Sequence, residues 1–140
     1  MYPVEVAQVA ATLGINARSM GELMAQIEDG FPRSVVRTLS GNAVPRRDTD
    51  ARRRVEALVA SPATLKRGPR LSRAASERAE RLARIAALAR RALGDTNEAK
   101  SWLTERHPLF GQPPIELAAT DLGARQVERV LLNIEYSLPL

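Results

Sequence analysis

The sequence predicts an all-α protein, and three observations indicate this class. Aromatic residues make up only 4% of the chain, and its 44% hydrophobic content is mostly alanine, leucine and valine. Alanine and leucine are strong helix formers, and arginine, the dominant charged residue, is another. Residues 76–93 and 121–137 carry apolar side chains at helical spacing. With 140 residues, the chain can form one domain or two very small ones that share a core.

The first 70 residues are predicted to form short helices separated by turns. Gly14 and Gly30 end two of them, because glycine readily adopts the left-handed conformation of a helix C-cap. Ser19 and Asp50 are predicted N-caps, and residues 41–47 form a turn-rich break. The predicted helices cover residues 4–13, 19–29, 32–39, 51–59 and 63–67.

The last two of these helices have the outline of a helix-turn-helix. Val55, Leu58 and Val59 would face the core from the first helix, while Ser61 and Pro62 begin the second. A helix, a three-residue turn and a short basic helix are typical of a family of DNA-binding motifs. Many helical hairpins share this outline, so the charges around it carry more information than the outline itself.

Positive charge is concentrated in the middle of the chain. The net charge is −1 over residues 1–45, +9 over residues 46–91 and −3 over residues 92–140. This distribution predicts one surface for a polyanion and a different partner elsewhere. The alternative is a solvated, arginine-rich helix face. The predicted DNA-contacting residues are Arg52, Arg53, Arg54, Thr64, Lys66, Arg67, Arg70 and Arg73.

The second half of the chain has clearer signals for the start and end of its helices. Gly94 ends a long amphipathic helix, and Asp95 with Glu98 has the spacing of a capping box for the next helix. Pro114 suits the first turn of a short helix, and Thr120 or Asp121 is predicted to cap the last helix. The predicted helices cover residues 76–93, 96–105, 114–118 and 121–137.

No group of residues predicts catalysis. The chain has no cysteine, which excludes disulfides and thiolate sites, and His107 is its only histidine. No phosphate-binding glycine loop, dinucleotide motif or calcium loop occurs. We therefore expect a binding protein without a metal or cofactor, and we expect His107 to be a capping or surface residue. No signal peptide or membrane span is recognisable, which favours a cytoplasmic protein.

The last predicted helix carries two apolar faces. Leu132 and Tyr136 lie four residues apart on a second face, and two further leucines follow in the tail. Such a face predicts a contact surface. The alternative is that another helix of the chain, or a homodimer partner, covers it. The face expected to point to the core comprises Ala124, Val127, Val130, Leu131 and Ile134.

The C-terminal half resembles the toxin-binding domain of the Xre/MbcA/ParS antitoxins. The resemblance covers residues 71–136 and rests on LSRAASERAERLARIAALARRALGD, NEAKSWL and GQPPIELAATDLGARQVERVLLNIEY. Residues 20–39, MGELMAQIEDGFPRSVVRTL, and the helix-turn-helix region are similar to their Xre-type counterparts. The positions that carry the resemblance best are Gly111, Pro114, Glu116, Leu117, Gly123, Ala124, Val127, Leu131, Ile134 and Glu135.

This resemblance implies both a fold and a function. The fold would be all-α, with a helix-turn-helix-like, Xre-type DNA-binding and oligomerisation region at residues 1–70 and a toxin-binding domain at residues 71–140. The protein would be a type II antitoxin, without activity of its own, that covers the active site of a cognate RES-domain toxin. Such toxins have an ADP-ribosyltransferase-like fold and either degrade NAD or transfer its ADP-ribose to a protein.

The resemblance also implies further partners. Antitoxin–toxin complexes of this family commonly repress their own operon, so we expect binding to operator DNA, a homo-oligomer such as a dimer, and a hetero-oligomer with the toxin. The alternative class is a helix-turn-helix transcriptional regulator whose C-terminal helices only dimerise or sense a ligand.

The end of the chain is the predicted blocking segment. An acidic C-terminal region suits a cleft that binds the pyrophosphate of a dinucleotide, so Glu135 or the carboxylate of Leu140 is predicted to pair with a cationic group of the toxin. The predicted toxin-binding residues are Leu132, Asn133, Glu135, Tyr136, Ser137, Leu138 and Leu140. The predicted structural residues are Trp102, taken as a core anchor, Gly111, Pro114 and Gly123.

Overall fold

Nine helices account for the regular structure of residues 1–137, the part of the chain that the computed structural model describes. The prediction of an all-α fold is confirmed. In chain order the helices are α1 (Val6–Leu13), α2 (Met20–Asp29), α3 (Ser34–Ala43), α4 (Thr49–Val59), α5 (Pro62–Leu65), α6 (Arg73–Leu93), α7 (Thr96–Thr104), α8 (Pro114–Leu117) and α9 (Asp121–Glu135).

Helix α6 lies at the centre of the fold. It packs against α1, α2, α3, α4, α7, α8 and α9. From Leu82 to Ala89 every residue except Arg84 is buried, as expected of a helix that neighbours cover on nearly all sides. The helix begins earlier than predicted, because Ser72 Oγ accepts a hydrogen bond of 3.1 Å from Ala75 N and caps it.

The two halves of the chain share one hydrophobic core. Leu71 N donates a hydrogen bond of 2.8 Å to the carbonyl oxygen of the fully buried Phe31, and Phe31 N donates one of 2.9 Å to Ser76 Oγ. Gly30 has a φ of +87°, and a Cβ there would lie 2.2 Å from Leu71 O. Only glycine allows this close approach. The predicted units at 1–70 and 71–140 therefore meet along a continuous core.

The predicted N-caps mostly hold. In each case a side-chain oxygen accepts a hydrogen bond from the backbone N–H three residues further along, which satisfies one of the free donors of the first helical turn. Gly14 and Gly94, with φ of 73° and 75°, end α1 and α6 as predicted. The confirmed caps are Ser19, Ser61, Asp95 and Thr120.

Two predicted boundaries in the first half are wrong. Helix α3 continues through much of the predicted break at 41–47, because Asn42 Nδ2 donates to Thr12 O at 3.0 Å and Ala43 is fully buried. Such tertiary contacts outweigh the weak helix propensity of the sequence there. Helix α4 is capped by Asp48 rather than Asp50, since Asp48 Oδ1 accepts a hydrogen bond of 2.9 Å from Ala51 N.

Trp102 is not the predicted core anchor. Its indole is only partly buried and meets the His107 ring edge to face, with the two ring centroids 5.5 Å apart. The neighbouring Leu103 fills the core instead, together with Ala99 one turn earlier. Helix α7 therefore turns Leu103 inward and leaves Trp102 at the edge of the core.

Candidate functional site

The first candidate site is a set of three exposed basic side chains, Arg53, Lys66 and Arg67, which we call the basic surface. Arg53 lies on α4. Lys66 and Arg67 were predicted to lie on the short helix, but α5 ends at Leu65 and both residues follow it. Among residues 1–137, none of these three side chains forms a hydrogen bond or ion pair. They are therefore available to the phosphates of a nucleic acid.

The other predicted DNA-contacting side chains are engaged within the protein. Arg70 Nη1 donates a hydrogen bond of 2.8 Å to Gly30 O, and Arg73 Nε lies 3.3 Å from Glu28 Oε2. Both contacts fasten the start of α6 to the end of α2. In the remaining three cases Arg52 donates to Arg46 O, Arg54 pairs with Glu116, and Thr64 Oγ1 accepts from Ser61 Oγ.

Two arginines beside the basic surface were missed in the sequence. Arg33, the N-cap residue of α3, and Arg37 on α3 line a shallow hollow of about 480 Å³ together with Leu65. Arg33 Nη1 also donates a hydrogen bond of 3.3 Å to Leu65 O, which holds α5 against α3. These arginines belong to the mildly acidic first third of the chain, so only the tertiary fold reveals that they lie near the basic residues.

The second candidate site is the α9 outer face, which comprises Leu122, Gln126, Arg129, Asn133 and Tyr136. Spacings of three and four residues place these side chains on one side of the helix. Leu122 is 73% exposed and Tyr136 is 64% exposed. The opposite side matches the predicted core stripe: Ala124, Val127, Val130 and Leu131 are buried, and Ile134 is partly buried.

Three of the residues predicted to contact a toxin, Leu132, Asn133 and Glu135, have contacts within the chain. Leu132, expected to be exposed beside Tyr136, is partly buried and packs against the core. Glu135 Oε2 lies 3.0 Å from Arg91 Nε. Asn133 is partly buried. Of the other predicted residues, Ser137 is exposed, while Leu138 and Leu140 lie outside the described residues. The exposed leucine of α9 is Leu122, which a helical wheel drawn from Tyr136 back to the start of the helix would have found.

The loop over residues 107–112 is held in a defined conformation and projects an apolar side chain. His107 N donates to Gln112 O at 3.1 Å, Gly111 N donates to His107 O at 2.8 Å, and Leu109 N donates to His107 Nδ1 at 3.1 Å. Gly111 closes the loop with a φ of +71°, which favours glycine. The His107 ring packs between Trp102 and Phe110. Leu109, at the tip, is 60% exposed.

A hollow separates this loop from α9. Its two compartments have volumes of about 400 and 260 Å³, and both are lined by Leu109, Phe110 and Gln126. Leu122 borders the first compartment and Arg129 the second. We call this the loop–α9 surface. It combines exposed leucines with concave space, the arrangement that accepts side chains of a partner protein.

Helices α8 and α9 approach each other closely at Gly123. A Cβ at this position would lie 1.9 Å from Leu117 O, which leaves room for glycine alone. Pro114, in the first turn of α8, is buried, and Thr120 Oγ1 accepts a hydrogen bond of 3.0 Å from Gly123 N. The predicted structural role of Gly123 thus has a steric cause.

A partly buried charged cluster connects the N-terminus to α6 and α9. Tyr2 Oη donates a hydrogen bond of 2.6 Å to Glu80 Oε2, and Arg84 lies 3.3 Å from both Glu80 Oε2 and Glu128 Oε1. Burial, with the nearby Glu80 carboxylate, raises the pKa of Tyr2 well above its usual range. Burial also raises the pKa of the Glu128 carboxyl, although Arg84 acts to lower it. Glu128 Oε1 forms no hydrogen bond within residues 1–137, so the ion pair is poorly aligned and desolvation prevails.

The described residues contain no cluster of metal ligands and no membrane-spanning helix. No three histidine, aspartate or glutamate side chains in residues 1–137 come together as metal ligands. Nor does this part of the chain contain a helix long and apolar enough to cross a membrane.

The described residues thus form an all-helical module with two exposed candidate binding surfaces. Residues 88–136, from the last turns of α6 to the C-cap of α9, match the antitoxin Xre/MbcA/ParS C-terminal toxin-binding domain. The resemblance seen in the sequence is confirmed over these residues, which are similar to the toxin-binding domain of antitoxins from toxin–antitoxin systems. A search of curated proteins gives no match.

Proposed function

We propose that the chain neutralises a RES-domain toxin of a type II system by placing the end of α9 and the residues after it in the NAD site of the toxin. The observation that carries this proposal is the position of that end. The last fully buried residue of α9 is Leu131, whereas Tyr136 is 64% exposed. Leu132 and Ile134 are still partly buried, and Tyr136 and Ser137 are the exposed residues that a partner can reach.

Charge supports a dinucleotide site as the target. Residues 92–140 carry a net charge of −3, and a cleft that binds the pyrophosphate of NAD presents positive groups. Glu135 supplies a carboxylate at the end of α9, and Arg91 holds it by its Oε2 atom. An exposed ion pair of this kind is weak, so Glu135 can exchange Arg91 for a cationic group of the toxin or contact both.

We infer that the same chain represses its own operon. Binding to DNA phosphates is supported by the net charge of +9 over residues 46–91 and by the side chains of Arg53, Lys66 and Arg67, which have no partner among residues 1–137. The short α5 supports fewer base contacts than a full recognition helix, so affinity would come mainly from phosphates. Helix-turn-helix proteins bind paired half-sites as dimers, and a dimer of this chain would double the positive surface.

The alternative is a transcriptional regulator whose C-terminal helices only dimerise or sense a ligand. The match of residues 88–136 to a toxin-binding domain favours the antitoxin. An antitoxin requires a toxin gene beside its own and a C-terminal half that binds the toxin, whereas a transcriptional regulator requires neither.

Co-expression with the adjacent reading frame tests the proposal. We expect that frame to encode a RES-domain protein that lowers cellular NAD or modifies a protein when expressed alone. The antitoxin should restore growth and co-purify with it. Tyr136→Ala should weaken the rescue, whereas the control Met24→Ala, at an equally exposed position on α2, should not. Growth inhibition that the wild-type antitoxin does not relieve would contradict the proposal.

A further inference from the structure

We propose that the toxin docks on the loop–α9 surface, formed by Leu109, Phe110, Leu122, Gln126 and Arg129, in addition to any contact with the end of α9. This inference rests on the proposed function, because its partner is the RES-domain toxin. It assigns affinity for the toxin to the loop–α9 surface and inhibition of the toxin to the end of α9.

The number of residues argues for a second contact. A stable protein–protein interface engages roughly 20–30 residues on each side. The proposed blocking segment, residues 133–140, contains eight. A segment of this length can enter a cleft, but its own contacts leave much of a standard interface unformed. The remaining contacts must come from the folded surface beside it.

The loop–α9 surface is continuous with that segment. Leu122 and Tyr136 both lie on the α9 outer face, 14 residues apart, and this corresponds to about 21 Å along a helix. Leu109 and Phe110 extend the face sideways across the hollow. All of these residues fall within positions 88–136, the toxin-binding domain. A toxin that binds the end of α9 would therefore lie next to the loop–α9 surface.

The surface has the form of an anchor site. Leu109 and Leu122 are 60% and 73% exposed, and neither contributes to the core of the antitoxin. The hydrogen bonds of the 107–112 loop hold Leu109 in place before a partner arrives, so little side-chain and loop freedom is lost on binding. Apolar anchors surrounded by polar groups, here Gln126 and Arg129, commonly carry most of the binding energy of an interface.

The double variant Leu109→Ser/Leu122→Ser tests this assignment. Purified variant and wild-type antitoxin would be titrated against the immobilised RES-domain protein encoded beside the gene, and its NAD cleavage would be measured at saturating antitoxin. We expect about a tenfold or greater rise in Kd, mainly through faster dissociation, with full inhibition at saturation. The matched control is Met20→Ser/Met24→Ser, two exposed apolar residues on α2 outside the toxin-binding domain, which should leave Kd unchanged.

The possible outcomes separate the two proposals. If wild-type antitoxin fails to bind the toxin, the proposed function fails. If wild-type binds and the double variant binds equally well, only the loop–α9 assignment fails. The mass of each antitoxin in solution, measured by light scattering, distinguishes a self-interface: conversion of a wild-type oligomer to monomer in the double variant would overturn the assignment to the toxin. Thermal unfolding verifies that each variant is folded.

Discussion

Arg91 Nε and Glu135 Oε2 lie 3.0 Å apart, and this ion pair joins the last turn of α6 to the last turn of α9. The contact ties the end of α9 to α6 in the free protein. It also means that the carboxylate predicted to meet a toxin cation has a partner in the free protein. The end of α9 is thus an oriented segment as far as Glu135, and Tyr136 is the first strongly exposed residue beyond it.

Gly123→Ala should destabilise the protein. The added methyl group would overlap Leu117 O, so α8 and α9 would have to move apart, which costs about 1–3 kcal/mol for overpacking of this kind. The matched control is Gly41→Ala in α3, where a Cβ meets no atom within 4 Å. Alanine there should stabilise by roughly 0.5–1 kcal/mol. Denaturant unfolding measures both changes, and equal effects in the two variants would contradict the close approach at Gly123.

Trp102→Ala should destabilise the protein less than Leu103→Ala, although tryptophan is the larger residue. Leu103 is fully buried, and its truncation should cost about 2–5 kcal/mol. Trp102 is only partly buried, so its truncation should cost less than the roughly 3–5 kcal/mol of a fully buried tryptophan. Thermal and denaturant unfolding provide the comparison. A larger loss for Trp102→Ala would show that its contacts with His107 matter more than the core position of its neighbour.

The charged cluster at Glu128 predicts a pH dependence with a definite sign. Because its pKa is raised in the folded state, the folded protein binds a proton more readily than the unfolded chain. The free energy of unfolding should therefore fall as the pH rises from the usual pKa of glutamate through the raised one. Glu128→Gln, which resembles the protonated form, should match wild type at low pH and become relatively more stable above this range.

Denaturant unfolding of both proteins between about pH 4 and pH 8 measures this difference. Tyr2, Glu80, Arg84, Asp121 and Arg125 are the other ionisable groups that act on Glu128 or belong to its cluster. A variant that becomes less stable than wild type as the pH rises would show that the ion pair with Arg84 outweighs the cost of burial.

DNA binding should depend on the cations of the basic surface, which form no ion pair in the described part of the chain. Replacing Arg53, Lys66 and Arg67 with alanine should weaken operator binding and flatten its salt dependence by about one unit of slope for each lost phosphate contact. Arg73→Ala is the matched control, since that side chain already pairs with Glu28 and Glu77. Neutralisation of the toxin should survive in all of these variants. An unchanged affinity and salt slope in the triple variant would place the DNA surface elsewhere.

Much of the fold could be predicted because its signals are local. The cap of Asp95 and the stops at Gly14 and Gly94 depend on one or two residues, and each has a direct physical cause in the first or last turn of its helix. The helix boundaries that were predicted wrongly depend on contacts with residues that are distant in the sequence. Helix α3 passes position 41 because Asn42 reaches Thr12, and no local pattern encodes that contact.

The sites were harder to predict than the fold. Periodicity identified the core stripe of α9 correctly, but it could not tell which outward residues neighbouring elements would cover. Leu132 packs against the core, while Leu122 lies open beside a loop whose path depends on Gly111 and His107. In the same way, a count of basic residues could not separate Arg70 and Arg73, which hold α6 to α2, from the unpaired Lys66 and Arg67.

The central claim of the proposed function is that the chain blocks the NAD site of a RES-domain toxin with the end of α9. The most direct measurement is NAD cleavage by the purified RES-domain partner, titrated with the full chain and with a chain that lacks residues 136–140. The buried stripe of α9 is intact in the truncated chain, so its fold and its binding to the toxin should persist. We predict that the full chain abolishes cleavage at stoichiometric concentration and that the truncated chain binds while leaving most of the activity. Equal inhibition by both chains, or cleavage that continues with saturating full-length antitoxin, would contradict the account.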